Sequence, residues 1–565
     1  MITNVADKLK QMKKSTMSLT ESLRKDTGKK TKYVSPTLLR NPNNVFPLEE
    51  RIPLKVMFLA ADAGGGHKAS AAALIHQFKT HFPGSHCESF QLEKILDVWP
   101  YTKLVNSYGF LTARPEVWRV IYHVTNSRFI EPVMNFHSRI TCEEIFVKLI
   151  ESYNPDVIIS VHPNTNIVPC AAARKAGQSL NKYIPFFTVV TDLGSGHCGW
   201  FQKDVDRLYV GSEKIFKLAK ARGQTPVERI TLTGLPIRHD FDIVCRRMNY
   251  VNNLTDPDPD EVMSNENKSI EEEDVGQCLS YQGQQCLLKD ELGLDSETPM
   301  VLVMGGGEGT GLLYEIICEL YLGLFIADVS CTLCVVCAKN TELKKKFENT
   351  NWNGLLLEKS ESSYDKYKRI LLRSVFPLGN TINNEKTETT ATLPALSERV
   401  INIQVNNKEE EEHDKLKDRA RKVTVVPLGY VTRMAKYMAA AEILITKAGP
   451  GTIAEAASLG LPVILTSYLP GQEAGNVGVV LEQNFGTFSS KPADIAKKVI
   501  RWIRDPTLLH QLSQNALKAG HPNAASDIVI DIGWRTHTWL RQNAENYEEK
   551  KRIISLISEE NDTGT

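Results

Sequence analysis

The sequence predicts an α/β protein made of two doubly wound parallel-sheet domains. Three observations predict it. Short branched apolar runs recur along the chain, and each ends in glycine or small polar residues, as buried strands of a parallel sheet do. Three of these runs pass through a glycine loop into residues with helical spacing, which is the strand–loop–helix unit of such a sheet. Finally, 565 residues with 42% hydrophobic and 24% charged composition suffice for two cores.

Residues 1–50 are rich in lysine, serine and threonine. Val5, Leu9, Met12, Leu19 and Leu23 fall at helical spacing among lysines, which fits a basic amphipathic helix on an anionic membrane. A solvated tail or an organelle transit segment reads the same residues, although Asp7, Glu21 and Asp26 count against a transit peptide. The first domain, 51–240, opens with the strand Lys55–Ala61 and the loop Gly64-Gly65-Gly66-His67. Aromatic and basic residues then mix from Trp99 to Phe129. Core packing is the ordinary explanation, and a headgroup-facing surface is the other. Further strands are expected at Asp156–Val161, Phe186–Thr191, Leu208–Val210 and Ile230–Thr233, and Gly234–Arg238 reads as a crossing between domains.

Residues 249–290 turn acidic and read as an insertion. The second domain, 291–500, has strands at Pro299–Met304, Thr332–Val336 and from Val423, and a polar, pattern-poor insertion at about 360–421. Its most informative stretch is Ile443–Glu455. A branched apolar strand is followed by Gly449-Pro450-Gly451, then by Thr452 and Glu455 at capping-box spacing. Glycines beside a helix N-terminus let an anion approach unpaired backbone N–H groups, so a nucleotide diphosphate fits. A tight turn with Glu455 as its cap reads these residues equally well. Residues 501–565 read as terminal helices and tail, and these helices can cross back to the first domain.

Lys+Arg and Asp+Glu both number 67, which argues against a chain built to neutralise nucleic-acid phosphates. Neither glycine loop has dinucleotide or Walker spacing, which disfavours a nicotinamide-dependent dehydrogenase. Cys331, Cys334 and Cys337 sit in an apolar run and read as a buried strand rather than metal ligands. No apolar run is long enough to cross a bilayer as one helix. His67 opens a helix directly after three glycines. The helix N-terminus disfavours imidazolium, so a neutral ring able to act as a general base is expected, with a structural histidine as the alternative. Asp192, His197 and Trp200 follow a strand end, where parallel sheets bind ligands; cap, loop and packed indole are their plainer roles. Arg238 can clamp a phosphate.

Several longer motifs occur in order: Gly64-Gly-Gly-His67-Lys-Ala-Ser70, Val190-Thr-Asp-Leu193, Trp200-Phe201, Gly234-Leu-Pro-Ile-Arg238, Met304-Gly-Gly-Gly-Glu-Gly309, Gly429-Tyr-Val-Thr432, Lys447-Ala-Gly-Pro-Gly-Thr-Ile-Ala-Glu-Ala456 and Gly471-Gln-Glu-Ala-Gly-Asn-Val477. In these the chain resembles the plant and algal monogalactosyldiacylglycerol synthases of glycosyltransferase family 28. The resemblance runs from about Lys55 to Trp502, outside both insertions. It implies the GT-B fold, in which two Rossmann-like domains face each other across a cleft. It also implies transfer of galactose from UDP-galactose to 1,2-diacylglycerol with inversion.

By that resemblance His67 is the catalytic base and Asp192 orients the base or the acceptor. The donor loops are carried by Gly66, Gly305, Gly306, Gly307, Gly309, Gly429, Tyr430, Val431, Ala448, Gly449, Pro450, Gly451, Thr452, Gln472 and Glu473. Glu455 holds the ribose and Arg238 faces the diphosphate. His197 and Trp200 lie on the acceptor side. Pro100, in Trp99-Pro100-Tyr101, matches a motif associated with an anionic lipid such as phosphatidylglycerol. No metal and no cofactor are implied, and Asp256, Asp258 and Asp260 are discounted as a metal motif. A peripheral place on the plastid envelope follows from the family alone, and a homodimer stays open. Lys68 stands where the family has arginine, and the loop before Trp200 is shorter than in plants. Rival readings are another UDP-sugar:lipid glycosyltransferase, such as a glucosyldiacylglycerol synthase or a lipid-intermediate N-acetylglucosaminyltransferase, and a non-catalytic, membrane-attached nucleotide-sugar-binding module.

Overall fold

The computed structural model describes residues 51–61, 65–96, 114–127, 129–255, 280–305, 312–358 and 423–541. Pro100, Gly306, Gly307 and Gly309 lie outside them, as do residues 1–50 and 360–421. The first lobe holds strands β1 (Lys55–Ala60), β2 (His86–Gln91), β3 (Val157–Ser160), β4 (Phe186–Val189), β5 (Arg207–Val210) and β6 (Ile230–Leu232). They form one parallel sheet in the order β2-β1-β3-β4-β5-β6. The second lobe holds β7 (Met300–Met304), β8 (Cys331–Val336), β9 (Val423–Leu428), β10 (Ile443–Thr446), β11 (Val463–Leu465) and β12 (Gly486–Phe488). Its order is β12-β11-β10-β7-β8-β9, again all parallel. The strand order therefore reverses between β1 and β3 in one lobe and between β7 and β10 in the other. Those are the crevices where doubly wound sheets hold ligands.

Helices cover both faces of each sheet, which is why the strands are apolar nearly throughout. The helices used below are α1 (Gly65–His81), α2 (Pro115–Thr125), α3 (Ile130–Tyr153), α4 (Ile167–Ser179), α5 (His239–Thr255), α6 (Tyr281–Glu291), α7 (Leu313–Ile326), α8 (Pro450–Ser458), α9 (Ala474–Glu482), α10 (Pro492–Arg504) and α11 (Pro506–Ala519). Alternate residues of the first sheet divide between two cores. Met57, Leu59 and Ile158 pack with Phe146 of α3 and Ala173 of α4. Val56, Phe58 and Ile159 pack with Leu74 and Phe78 of α1. A last helix over 524–541 joins that second core through Ala525, Ile528, Val529 and Ile532. This last helix crosses back to the first lobe, whereas α11 stays on the second through Leu512 and Ala516.

In the second lobe, α7 and α10 cover one face through Ile317 and Val499. The other face is covered by Phe241 of α5, Leu288 of α6 and Ile453 of α8. Two expectations are corrected here. Residues 280–290 are not part of an insertion: α6 packs on the second-lobe core and buries Gln285, Leu288 and Lys289. Its polar composition hid it, because Lys289 is buried through a 2.7 Å ion pair with Glu442. The capping box is also absent. The cap of α8 is Gly449, no side chain bonds there, and Glu455 lies inside the helix. Cys331, Cys334 and Cys337 are buried in or just after β8, as a strand.

Candidate active site at the lobe junction

His67 stands in the first turn of α1 and is 7% exposed. Its Nδ1 lies 3.1 Å from the Val161 carbonyl oxygen and 2.6 Å from Thr191 Oγ1. Both partners come just after strands β3 and β4, at the carboxyl ends of the sheet. Burial pulls the imidazole down to about 4, opposed by the Val161 hydrogen bond. The ring is therefore neutral at physiological pH, with burial as the cause rather than the helix N-terminus. The His162 ring packs against it edge to face, with centroids 4.7 Å apart.

Asp192 is buried and its Oδ2 accepts a 2.7 Å hydrogen bond from Trp200 Nε1. Burial pushes its carboxyl up to about 7, with help from the Glu473 charge and against the Trp200 bond. Trp200 is wholly buried, 6.2 Å from the His67 ring. Its indole is turned inward and holds Asp192. His197 caps the short turn Cys198–Trp200 by accepting from the Gly199 N–H, and its Nε2 lies 3.2 Å from Thr125 Oγ1 of α2. Burial, then Arg222, pulls it to about 4.

In the second lobe the segment Lys447-Ala448-Gly449 follows β10 and leads into α8 with Pro450 in its first turn. Gly449 and Gly451 have ordinary backbone angles, so conformation does not require glycine there. Packing does not require it either: a Cβ at Gly451 or Gly66 would meet nothing within 4 Å, and one at Gly449 or Gly429 nothing closer than 3.8 Å. Gly449 and Gly451 thus border open space at the start of α8, which no side chain caps. Gly305 directly follows β7, and Tyr430 and Val431 follow β9, with Tyr430 74% exposed. Ala448 is buried, Thr452 and Gln472 half-buried.

Arg238 and Glu455 meet in a bidentate pair of 2.7 and 2.9 Å. Burial raises the Glu455 carboxyl and Arg238 opposes that. Glu473 is buried, binding Lys447 Nζ at 2.9 Å and the Leu469 N–H at 2.8 Å. Lys447 and Asn476 lie inside the sequence motifs, but their residue types alone do not mark them as functional. Asn476 Oδ1 accepts from the Gly194 N–H of the first lobe at 2.8 Å, while its Nδ2 donates to the Ala448 carbonyl at 2.9 Å. Gly475 N–H donates to Ser195 Oγ at 2.9 Å. The loop carrying Asp192 thus touches the loop carrying Glu473. Among the described residues no group of His, Cys, Asp or Glu is arranged to hold a metal ion.

Residues 67–237 match the family profile described as monogalactosyldiacylglycerol (MGDG) synthase, and 378–487 match the glycosyltransferase family 28 C-terminal domain. A probable chloroplastic monogalactosyldiacylglycerol synthase of Glycine max is 32% identical over 88% of this chain and 73% of that one. The chloroplastic synthase of Spinacia oleracea is 30% identical over 86% and 73%. Among solved structures, that of Acinetobacter baumannii MurG overlays with a TM-score of 0.43 at 12% identity, over 84% of this chain and 98% of that one, too loose a match to add to the topology above. With relatives this similar over most of both chains, the chain belongs to the monogalactosyldiacylglycerol synthase family.

Proposed function

We propose that the chain is an inverting glycosyltransferase that moves galactose from UDP-galactose to 1,2-diacylglycerol. The observation that carries this reading is the pairing of two features at the lobe junction. Glycines that neither packing nor conformation demands border an uncapped helix start, and a neutral buried imidazole keeps Nε2 free. Nε2 of His67 takes the proton from the acceptor hydroxyl as that oxygen attacks the anomeric carbon. The bond to the diphosphate breaks on the opposite face, so the linkage inverts. Charge growing on the departing UDP meets the first-turn N–H groups of α8 and the Arg238 guanidinium. Arg238 reaches the diphosphate by leaving Glu455, which then turns its carboxylate to ribose hydroxyls. Asp192 acts behind the base, held by Trp200.

The acceptor dissolves in a bilayer, so the reaction runs at a membrane surface. No helix among the described residues is long and apolar enough to cross a membrane. The first-lobe helices α2 and α3 expose Val117, Val120, Val124, Phe129, Val133, Phe136 and Ile140. Exposed large apolar side chains clustered on two neighbouring helices are the kind of surface that meets a membrane or a partner. The end of α2 lies beside His197 through Thr125, so we take the patch to adjoin the acceptor side. We assign the same face to an anionic bilayer, with phosphatidylglycerol as activator and the plastid envelope as location. The test incubates the protein with diacylglycerol vesicles, with and without phosphatidylglycerol, and with UDP-galactose or UDP-glucose. Galactolipid formed from the first donor alone is expected. Glucolipid formation would favour the sister activity, and bound UDP without any glycolipid would favour a binding module.

A further inference from the structure

Resting on the reading above, we propose that Thr191 is a positioning residue for His67: its hydroxyl oxygen, with the Val161 carbonyl, holds the ring proton on Nδ1 and so keeps the Nε2 lone pair available to the acceptor hydroxyl. The argument starts from what each oxygen can do. A carbonyl only accepts, so at 3.1 Å the Val161 oxygen requires a hydrogen on Nδ1. Placing the proton on Nε2 would set two lone pairs against each other in a buried site. Thr191 Oγ1 is the nearer of the two oxygens, at 2.6 Å, and shares that hydrogen. Its own proton has the Val161 carbonyl within reach at 3.5 Å, which closes a triangle of three polar groups.

Two corners of the triangle, Val161 and Thr191, follow the neighbouring strands β3 and β4, which holds them together. Ser160 of β3 pairs in register with Thr188 of β4, just before Val161 and Thr191. The turn after β3 is tied down further. Thr165 Oγ1 donates to the His162 carbonyl at 2.9 Å, and Asn166 accepts from Thr188 Oγ1 at 2.8 Å. The His162 ring, at 74° to that of His67, blocks rotation on the other side. When Nε2 accepts the proton, the ring becomes a buried cation with two oxygens already aimed at Nδ1. Their stabilisation grows in the transition state, so loss of Thr191 acts on kcat rather than on substrate affinity.

Thr191→Val keeps the shape and removes the oxygen, whereas Thr191→Ser keeps the oxygen. Galactolipid formation is followed from pH 5 to 9 for the wild type and both variants, with melting temperatures alongside. Thr191→Val should lose about 10- to 100-fold in kcat, the rate equivalent of one hydrogen bond to a charged group. Its KM for the donor should hold within about twofold, because the lost contact acts only as the ring gains charge. Thr191→Ser should recover most of the loss. Thr191→Val at wild-type kcat, or Thr191→Ser as slow as Thr191→Val, overturns the proposal. The tautomer is read without activity from the 15N shifts of the His67 ring, assigned by difference from His67→Ala. Wild-type protein carrying the proton on Nε2 also overturns it, whether or not the chain folds as the valine variant. A wild type that makes no glycolipid sinks the parent reading instead, and the nitrogen shifts still decide the fate of Thr191.

Discussion

A histidine held neutral by burial works over a different pH range from one in water. His67 is pulled to about 4, so it remains a free base well below the ordinary imidazole range. In an Asp192→Asn variant, where the neighbouring carboxyl raised to about 7 no longer titrates, turnover in short assays should show no acid limb between pH 8 and pH 5, and a limb centred near 6.5 there would show that another group is the base. The same shift has a stability cost with a definite sign. The folded value of His67 lies below the unfolded one, so its contribution is present above about pH 6.5 and is lost as the pH falls towards 4. Asp192 has the opposite sign. Its folded value is raised to about 7, so its contribution is present at low pH and lost as the pH rises through 7. Asp192→Asn keeps an oxygen for the Trp200 N–H and removes the buried charge. It should raise the melting temperature at pH 8.5 by about 3 °C or more and leave it unchanged at pH 5. At this scale the chemical identity of the site was readable, since His67 and Asp192 stood out as residue types after strand ends. Thr191, Lys447 and Asn476 did not, because their partners are distant in sequence and meet only when the strands pair.

Between elements, the lobes touch backbone to backbone. A Cβ on Gly475 would lie 2.1 Å from the Gly194 carbonyl oxygen, and one on Gly194 would lie 1.9 Å from the Gly475 carbonyl carbon. Neither neighbour is a side chain that can turn aside. Gly475→Ala should therefore hold the lobes apart and lower kcat by roughly 100-fold, since a displacement near 1 Å spoils the attack geometry. UDP affinity measured by calorimetry should fall far less than kcat, because the donor-loop residues other than Gly66 and Arg238 belong to the second lobe. On α2 and α3 the exposed apolar residues make a different demand. The double variant Phe129→Ser, Phe136→Ser removes rings that are 88% and 68% exposed. Melting should not change, while binding to anionic vesicles in a flotation assay should weaken by at least about tenfold. Retained binding would move the membrane surface elsewhere. Elements were legible in proportion to their burial. Strands β1, β3, β7 and β10 were found because both faces are covered. Strand β2 escaped because it is a sheet edge, with His86, Glu88 and Ser89 exposed, and β12 because Gly486–Phe488 spans too few residues to show a pattern.

Across the whole molecule, two lobes with separate sheets are tied by a helix that ends in the lobe where the chain began. Ile528 and Ile532 pack against Phe58 and Ile159, and Asp531 accepts a 2.6 Å hydrogen bond from Tyr209 of β5. Ile528→Ala should cost about 2–5 kcal/mol, seen as a lower melting temperature with UDP binding intact below it. An unchanged melting point would mean that the helix is dispensable. The two-lobed plan was readable from repeated strand–glycine–helix units. The place where the second lobe takes over was not, because α5 and α6 pack on the second-lobe core, although the polar composition of 249–290 makes the end of α5 and nearly all of α6 read as an insertion.

That returning helix also sets an order of events during synthesis. Once residue 232 has emerged from the ribosome, all six strands of the first sheet exist, yet part of one greasy side stays bare until residues 524–541 follow. The nascent chain must be sheltered through that interval, and a gene cut between the lobes would yield a front half prone to clump.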